Sequence, residues 1–274
     1  MFVVTQKANK YKTHCRNVMK KKYGVIYTLV AIAIVILAWY IAARVINVEF
    51  LLPSPGVTLN KLIYLFGLPD FYGGIATTTL HAVLAFLLAF VFAAVLAIFA
   101  SLNSVVERLL SPIVLIIRVA PTMSVIFLSI LWISSKNSPY LVGIFVLFPI
   151  IYSRILSAIK SVDGELLEMA KVYMVKKRDI VFGLYLPYVG NSVLDECPGF
   201  LSFGVKLAVS GEAVAQSGIN IGSLMSSSKA NLETAELIAY TVTAILVGFC
   251  LEQLFKLVIF VVRRAIRNAK THRN

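Results

Sequence analysis

An all-α, polytopic helical membrane protein is the fold class this sequence predicts, and three observations carry the prediction. Apolar residues make up 59% of the 274 positions and charged residues only 14%, with a mean hydropathy of +0.86. A soluble domain of this length has too little interior to hide that much apolar surface. Several runs stay apolar for about 20 residues, the length that crosses a bilayer core of about 30 Å at about 1.5 Å per residue. Lysine and arginine gather in the two tails and in one internal island between such runs. That arrangement also argues against nucleic acid as the partner of a chain with a formal net charge of +13, because the basic residues form no stripe with interleaved aromatics.

Hydrophobic periodicity and run length place six spans at about 24–46, 77–100, 109–133, 140–159, 184–215 and 237–262. The first run comes after a basic stretch and so mimics a secretory signal. It is too long for the apolar core of one and ends at no small-x-small cleavage site, so it is expected to remain as the first span. Residues 1–23 then form a basic tail, 24–262 the membrane domain and 263–274 a second basic tail. Between the first two spans, Leu52-Pro53-Ser54-Pro55-Gly56 cannot propagate a helix, and the next residues, 57–66, fit a short interfacial helix. The Gly- and Ser-rich stretch 217–229 is too polar to meet lipid. Cys15, Cys197 and Cys250 are far apart with no metal-ligand spacing and read as small apolar fillers. No metal or cofactor is expected.

Positive loops are retained in the cytoplasm. The amino tail carries Lys7, Lys10, Lys12, Arg16, Lys20, Lys21 and Lys22, the island Lys171, Lys176, Lys177 and Arg178, and the carboxyl tail Arg263, Arg264, Arg267, Lys270 and Arg273. These blocks share one side only if the spans number six, and the opposite loops then hold just Lys61, Lys136 and Lys229. Both termini are therefore expected in the cytoplasm.

The island, within a cytoplasmic loop over 161–187, reads as an amphipathic helix. Asp163 is a good N-cap, Glu165 sits in the first turn, and Lys176, Lys177 and Arg178 favour the carboxyl end. Leu166, Ala170, Tyr173 and Met174 follow i, i+4, i+7, i+8 spacing and make one apolar stripe, while Glu168 and Lys171 form a weak pair on another face. Such a stripe is buried either in lipid headgroups or in a soluble partner.

These residues also carry a resemblance. Permeases of ATP-binding-cassette importers share a cytoplasmic signature of Glu-Ala-Ala, three residues, Gly, nine residues, Ile, one residue and Leu-Pro. Glu168, Met169, Ala170, Met174, Leu184, Leu186 and Pro187 stand at that spacing. Met169 replaces an Ala, and Met174 replaces the Gly that usually allows the turn between the two short helices of the loop; the second departure bears on that turn and not on docking. Leu52-Pro53-Ser54-Pro55, Phe148-Pro149-Ile150, Gly211-Glu212-Ala213 and Ile221-Gly222 look like pieces of the nitrate, sulfonate and taurine subgroup, which also includes carriers of pyrimidine-like solutes. The resemblance implies a pair of permeases, identical or similar, bound by two cytoplasmic ATPase subunits and fed by an external solute-binding protein. Closure of the ATPases would tilt the spans through the coupling helix by rigid-body motion. The chain has no Gly-x-x-x-x-Gly-Lys-Ser/Thr loop, so ATP hydrolysis falls to the partner subunits and no catalytic residue is expected here.

Intramembrane polar residues mark candidate solute contacts, since a charge at a span centre costs about 2.5 to 3.5 kcal/mol unless satisfied. Arg118 lies three residues before Pro121, which loosens the third span and frees carbonyls; the guanidinium could meet an anion there, or snorkel or pair with Glu107 near the cytoplasmic end. The fifth span carries Asp195, Glu196, Lys206 and Glu212, too many charges for a lipid-facing helix, with Ser202 and Ser210 one turn either side of Lys206. Solute contact and a structural network are both open for Glu212; Asp195 and Glu196 fit the cytoplasmic mouth, and His81 fits a packing role. A secondary transporter or channel without an ATPase would be expected to show paired inverted repeats, and a membrane enzyme clustered ligands or nucleophiles. Neither pattern is found in the sequence.

Overall fold

The computed structural model describes residues 26–162, 164–180, 183 and 186–271. The basic amino tail, the Asp163 cap and Leu184 lie outside them, as do the side chains of Lys171, Lys177, Arg178 and Leu186. Among the described residues all regular structure is helical, with no strand. Helix α1 (Ile26–Ile46) stands almost unburied at the edge of the bundle, fastened near its end by Trp39, whose Nε1 donates to the Pro53 carbonyl at 3.1 Å. Arg44, inside the first predicted span, sits in the last turn of α1 and donates to the Tyr40 hydroxyl.

Helix α2 (Pro55–Leu65) starts two residues before the predicted interfacial helix. Ser54 caps it, accepting from the Val57 N–H, and Pro55 occupies a first-turn position where no backbone donor is needed. Helix α3 (Pro69–Leu102) begins eight residues earlier than the apolar run, because Pro69 and Asp70 are good first-turn residues and the helix continues past the membrane-length core. Asn103 ends it and caps α4 (Ser104–Val119) by accepting from the Val105 N–H.

The third predicted span is not one helix. The chain turns by 98° between α4 and α5 (Thr122–Trp132). Pro121 has no N–H to continue the ladder and its ring excludes helical geometry at Ala120, which lies at ψ 130°. Helix α6 (Ser138–Lys160) comes next. Its packing against α3 is the most extensive in the bundle. Ala82, Ala85, Ala89, Ala93, Ala97 and Ala100 on α3 are all buried, and a stripe of small residues lets two backbones approach closely where dispersion, not the hydrophobic effect, drives association. Gly143 fits against Ala85 so tightly that a β-carbon there would lie 2.5 Å from the alanine methyl.

The fifth predicted span is also divided. Helices α7 (Gly164–Val172) and α8 (Lys177–Ile180) occupy the island, and α9 (Leu186–Leu194) stops just before α10 (Cys197–Ala215), with Pro198 in the first turn of α10. Helix α10 packs on α3, α6, α11 (Ile221–Ala230) and α12 (Thr234–Thr271). Alone among the longest helices it fails the simple test of length and apolarity that α1, α3, α6 and α12 pass, because Lys206 and Glu212 interrupt it. Its neighbours, not its own composition, shield it from lipid.

Ion pairs mark the two ends of the bundle. At one end Lys160 pairs with Glu107, Arg154 with Glu196 and Arg263 with Asp195. Glu107 is thereby engaged by Lys160, so the Glu107–Arg118 pair, one of the alternatives for Arg118, is not made; the two stand eleven positions apart on α4, about 16 Å along the axis. At the other end Lys61 pairs with Glu233 and Glu236, and the hydrogen bond to Glu236 leads in holding the lysine pKa above its ordinary value.

Gly143→Ala should separate α3 from α6 and cost about 1–3 kcal/mol of overpacking strain. The apparent Tm of the purified protein in detergent should fall, and the added change Ala85→Gly, which removes the colliding methyl, should restore most of it. An unchanged Tm for the single variant would show that the seam has slack.

Candidate functional site

Three clusters hold most of the residues singled out from the sequence. The first is the island. Helix α7 projects from the bundle end that carries the Lys160, Arg154 and Arg263 pairs, immediately after α6. On it Leu166 is 42% exposed and Met169 53%, and beyond its end Tyr173 is 75% and Met174 90% exposed. Glu165 and Glu168 are also exposed, and Ala170 is half-buried. The apolar surface therefore stands open, with Met169 and Val172 added to the predicted stripe.

Met174 resolves the departure from the family signature. Its φ is +52°, the left-handed conformation that usually calls for glycine. The Val175 N–H reaches back to the Ala170 carbonyl and the Tyr173 N–H to that of Met169, both at 3.0 Å. The first contact is the six-to-one bond of a Schellman terminus. The turn between the two short helices is thus made with methionine in the glycine position, at a conformational cost of roughly 1–2 kcal/mol. Pro187 is exposed near the start of α9, and Tyr188 donates to the Ser161 carbonyl, returning the loop to the end of α6.

The second cluster surrounds Glu212, which is 0% exposed. Thr78 Oγ1 donates to Oε2 at 2.8 Å, the Gly222 N–H donates to the same oxygen at 3.1 Å, and His81 Nδ1 lies 2.6 Å from Oε1. Thr78 also accepts from the Ile221 N–H. One carboxyl group on α10 therefore joins two residues of α3 to the first turn of α11, where free N–H groups favour negative charge. A β-carbon on Gly222 would come within 2.4 Å of the Val209 carbonyl and 2.5 Å of Glu212 Cβ, so only glycine lets α11 approach. His81, edge-on to Tyr140 at 4.6 Å, belongs to this network; its partner Glu212 was not evident in the sequence.

The third is a groove of about 600 Å³ between α10 and α12. Ser202, Lys206 and Ser210 line it together with Thr241, Gly248 and Glu252. Glu252 and Thr241 were not singled out from the sequence, although their spacing on the sixth span would have placed them on nearly one face. Glu252 is paired with Lys256 at 2.6 Å. Arg118 and Pro121 do not belong to this groove: Arg118 is exposed in the last turn of α4, and Pro121 is the corner before α5. Asp195 and Glu196 stand at the α9–α10 break, paired across to α12 and α6.

Glu212→Ala should leave Thr78, His81 and the Gly222 N–H without their acceptor, a loss of about 3 kcal/mol for a buried polar hub; the monodisperse yield should collapse while Glu212→Gln, which keeps the shape, loses less. Met174→Gly should release roughly 1 kcal/mol of strain, read as slower proteolysis of the loop in the purified protein.

The comparisons with known proteins agree with this architecture. Residues 89–268 match the family model for the binding-protein-dependent transport system inner membrane component. A protein of Bacillus subtilis (strain 168), named as the aliphatic sulfonates transport permease protein SsuC, is 25% identical over 212 residues, 76% of this chain and 72% of its own. An ABC transporter permease protein of Methanocaldococcus jannaschii is 26% identical over 204 residues, 72% of this chain and 75% of its own. A chain of the MetNI methionine ABC transporter in an inward-facing conformation superposes with a TM-score of 0.56 at 15% identity, covering 69% of this chain and 96% of that one. At that identity the likeness speaks for the fold, a type I importer permease. With two thirds of its length matched by one family, this chain belongs to the binding-protein-dependent inner membrane components and is a membrane-spanning permease subunit of an ATP-binding-cassette importer.

Proposed function

We propose that the chain forms half of the solute pathway of an importer for small organic anions of the sulfonate kind, and that α7 is the coupling helix gripped by a cytoplasmic ATPase. The observation that carries the coupling role is the open apolar surface of Leu166, Met169, Tyr173 and Met174 on the segment with the spaced Glu168 to Pro187 signature. A side chain as large as Tyr173 left exposed at the end of a short helix is poised as an anchor for a partner.

Two ATPase subunits would bind two permeases, either two copies of this chain or this chain and a similar one, with an external solute-binding protein delivering the solute. Hydrolysis takes place on the ATPases, whose motion α7 passes directly to α6 and, through α8, to α9. Both termini are cytoplasmic in this reading, on the side of the island, because the basic residues concentrate there. The sulfonate preference rests on the name of the Bacillus relative and on the subgroup motifs. The segment also lies between two membrane helices, where an interfacial helix would instead turn its apolar stripe to lipid.

Tyr173→Ala should weaken association with the cognate ATPase by about 2 kcal/mol, roughly 30-fold, if the tyrosine is a docking anchor. As a surface change it should leave the permease Tm within about 1 °C of the parent. Glu168→Arg should uncouple ATP hydrolysis from uptake in the reconstituted complex. Full association and uptake by both variants, or protection of α7 by lipid but not by the ATPase in hydrogen exchange, would remove the coupling role.

A further inference from the structure

Lys206 is the tenth residue of the nineteen in α10, so its backbone lies near the middle of the bundle. It is exposed, and among the described residues no carboxylate pairs with it. Its ammonium stands 5.9 Å from the centre of the Phe203 ring, a contact that orients a cation without neutralising it. The side chain takes the usual helical direction, back over the preceding turn. A charged lysine at this depth against lipid would cost about 2.5–3.5 kcal/mol, so this face meets something other than hydrocarbon.

The groove it lines gives the character of what that is. Glu252, the acidic residue on the wall, is occupied by Lys256, which leaves Lys206 as the uncompensated charge. Ser210 donates its hydrogen to the Lys206 carbonyl; Phe203, Val209 and Ile245 supply apolar surface beside it. One cation on an otherwise mostly aliphatic and aromatic wall is complementary to an anionic head on a short hydrocarbon body. A second copy of the chain, related by a two-fold axis, would bring its own Lys206 towards this one if the groove faced the axis. Two ammonium groups repel in a dry seam but together form an anion site around a wet pathway.

Resting on the importer reading, we propose that Lys206 is the specificity-determining contact of the translocation pathway, holding the acidic group of a small organic anion while Ser202, Phe203 and Ser210 flank it on the same wall.

The test uses the complete complex of permease, ATPase and binding protein in proteoliposomes, with butane-1-sulfonate and its neutral analogue butane-1-sulfonamide as probes. Lys206→Gln should lower butanesulfonate uptake at least about tenfold, as expected for loss of one charge contact worth about 1.4 kcal/mol or more, and Lys206→Arg should retain uptake within about threefold of the parent. In a background without other reactive thiols, Lys206→Cys should be labelled by a membrane-impermeant anionic methanethiosulfonate, with butanesulfonate slowing the labelling. Wild-type uptake kinetics in Lys206→Gln would overturn the proposal. So would labelling by lipid-soluble maleimide alone, or spontaneous crosslinking of the Lys206→Cys copies into a closed seam. A wild-type complex that imports only neutral or cationic solutes sinks the anion contact and leaves the importer standing; one that couples ATP hydrolysis to no uptake sinks both.

Discussion

A single carboxyl group in the interior of the bundle is the interaction on which the rest of the architecture depends. Glu212 is withdrawn from solvent, and an isolated carboxylate there would be strongly penalised. It is tolerable because each oxygen is occupied, by Thr78 and the Gly222 N–H on one side and His81 on the other. The same contacts also dictate topology. They pull α11 back into the bundle against α10 and α3, although its sequence is too polar to meet lipid, and they satisfy the backbone donors of its first turn that hydrocarbon could not. Gly222 makes the approach possible, and Gln216, at φ +47°, ends α10 so that the chain can turn back towards it.

That node lies towards the end of α10 away from α7, while the break between α9 and α10 lies at the near end. There Glu196 is held by Arg154 of α6 and Asp195 by Arg263 of α12. Exposed pairs contribute little stability, but these cross between helices. In chain order α7 follows the end of α6 and, after α8, precedes α9. The pairs then connect those two helices to α10 and α12, the helices that line the groove. Between the ends, the buried alanines of α3 pack against Leu147, Ile151, Tyr152 and Ile155 of α6, a close-packed seam with little room to absorb a shift.

Most of the long helices were legible because a run of apolar residues is a strong and local signal, and α3, α6 and α12 lie where such runs were read. What escaped was decided by single residues or by distant partners. Pro121 announced a weakened helix, but whether a proline kinks a span or turns it by a right angle depends on what the next segment packs against. Here α5 packs on α6 and α10. The early start of α3 at Pro69 was hidden because its first turns are not membrane-apolar. Thr78 and His81 are 134 and 131 residues from Glu212, and no spacing rule spans that distance; the polar residues were visible one by one, their convergence was not. The island shows the reverse case. Its signature was readable by spacing alone, yet Met174 in a glycine position left its geometry undetermined until the left-handed turn and its Schellman bond were seen.

Two exposed features among the described residues, the apolar face of α7 and the Lys206 groove, differ in kind, and the difference comes from where each stands. The α7 surface is apolar and is carried on a short helix outside the bundle, so its unfavourable exposure is relieved by any partner that buries area. The Lys206 groove is a charge set into a mostly apolar wall, so area alone does not relieve it; a counter-charge or water must. Glu212 stands apart from both: it fixes the end of α10 nearest α11, where Thr78, His81 and the Gly222 N–H satisfy it within the bundle.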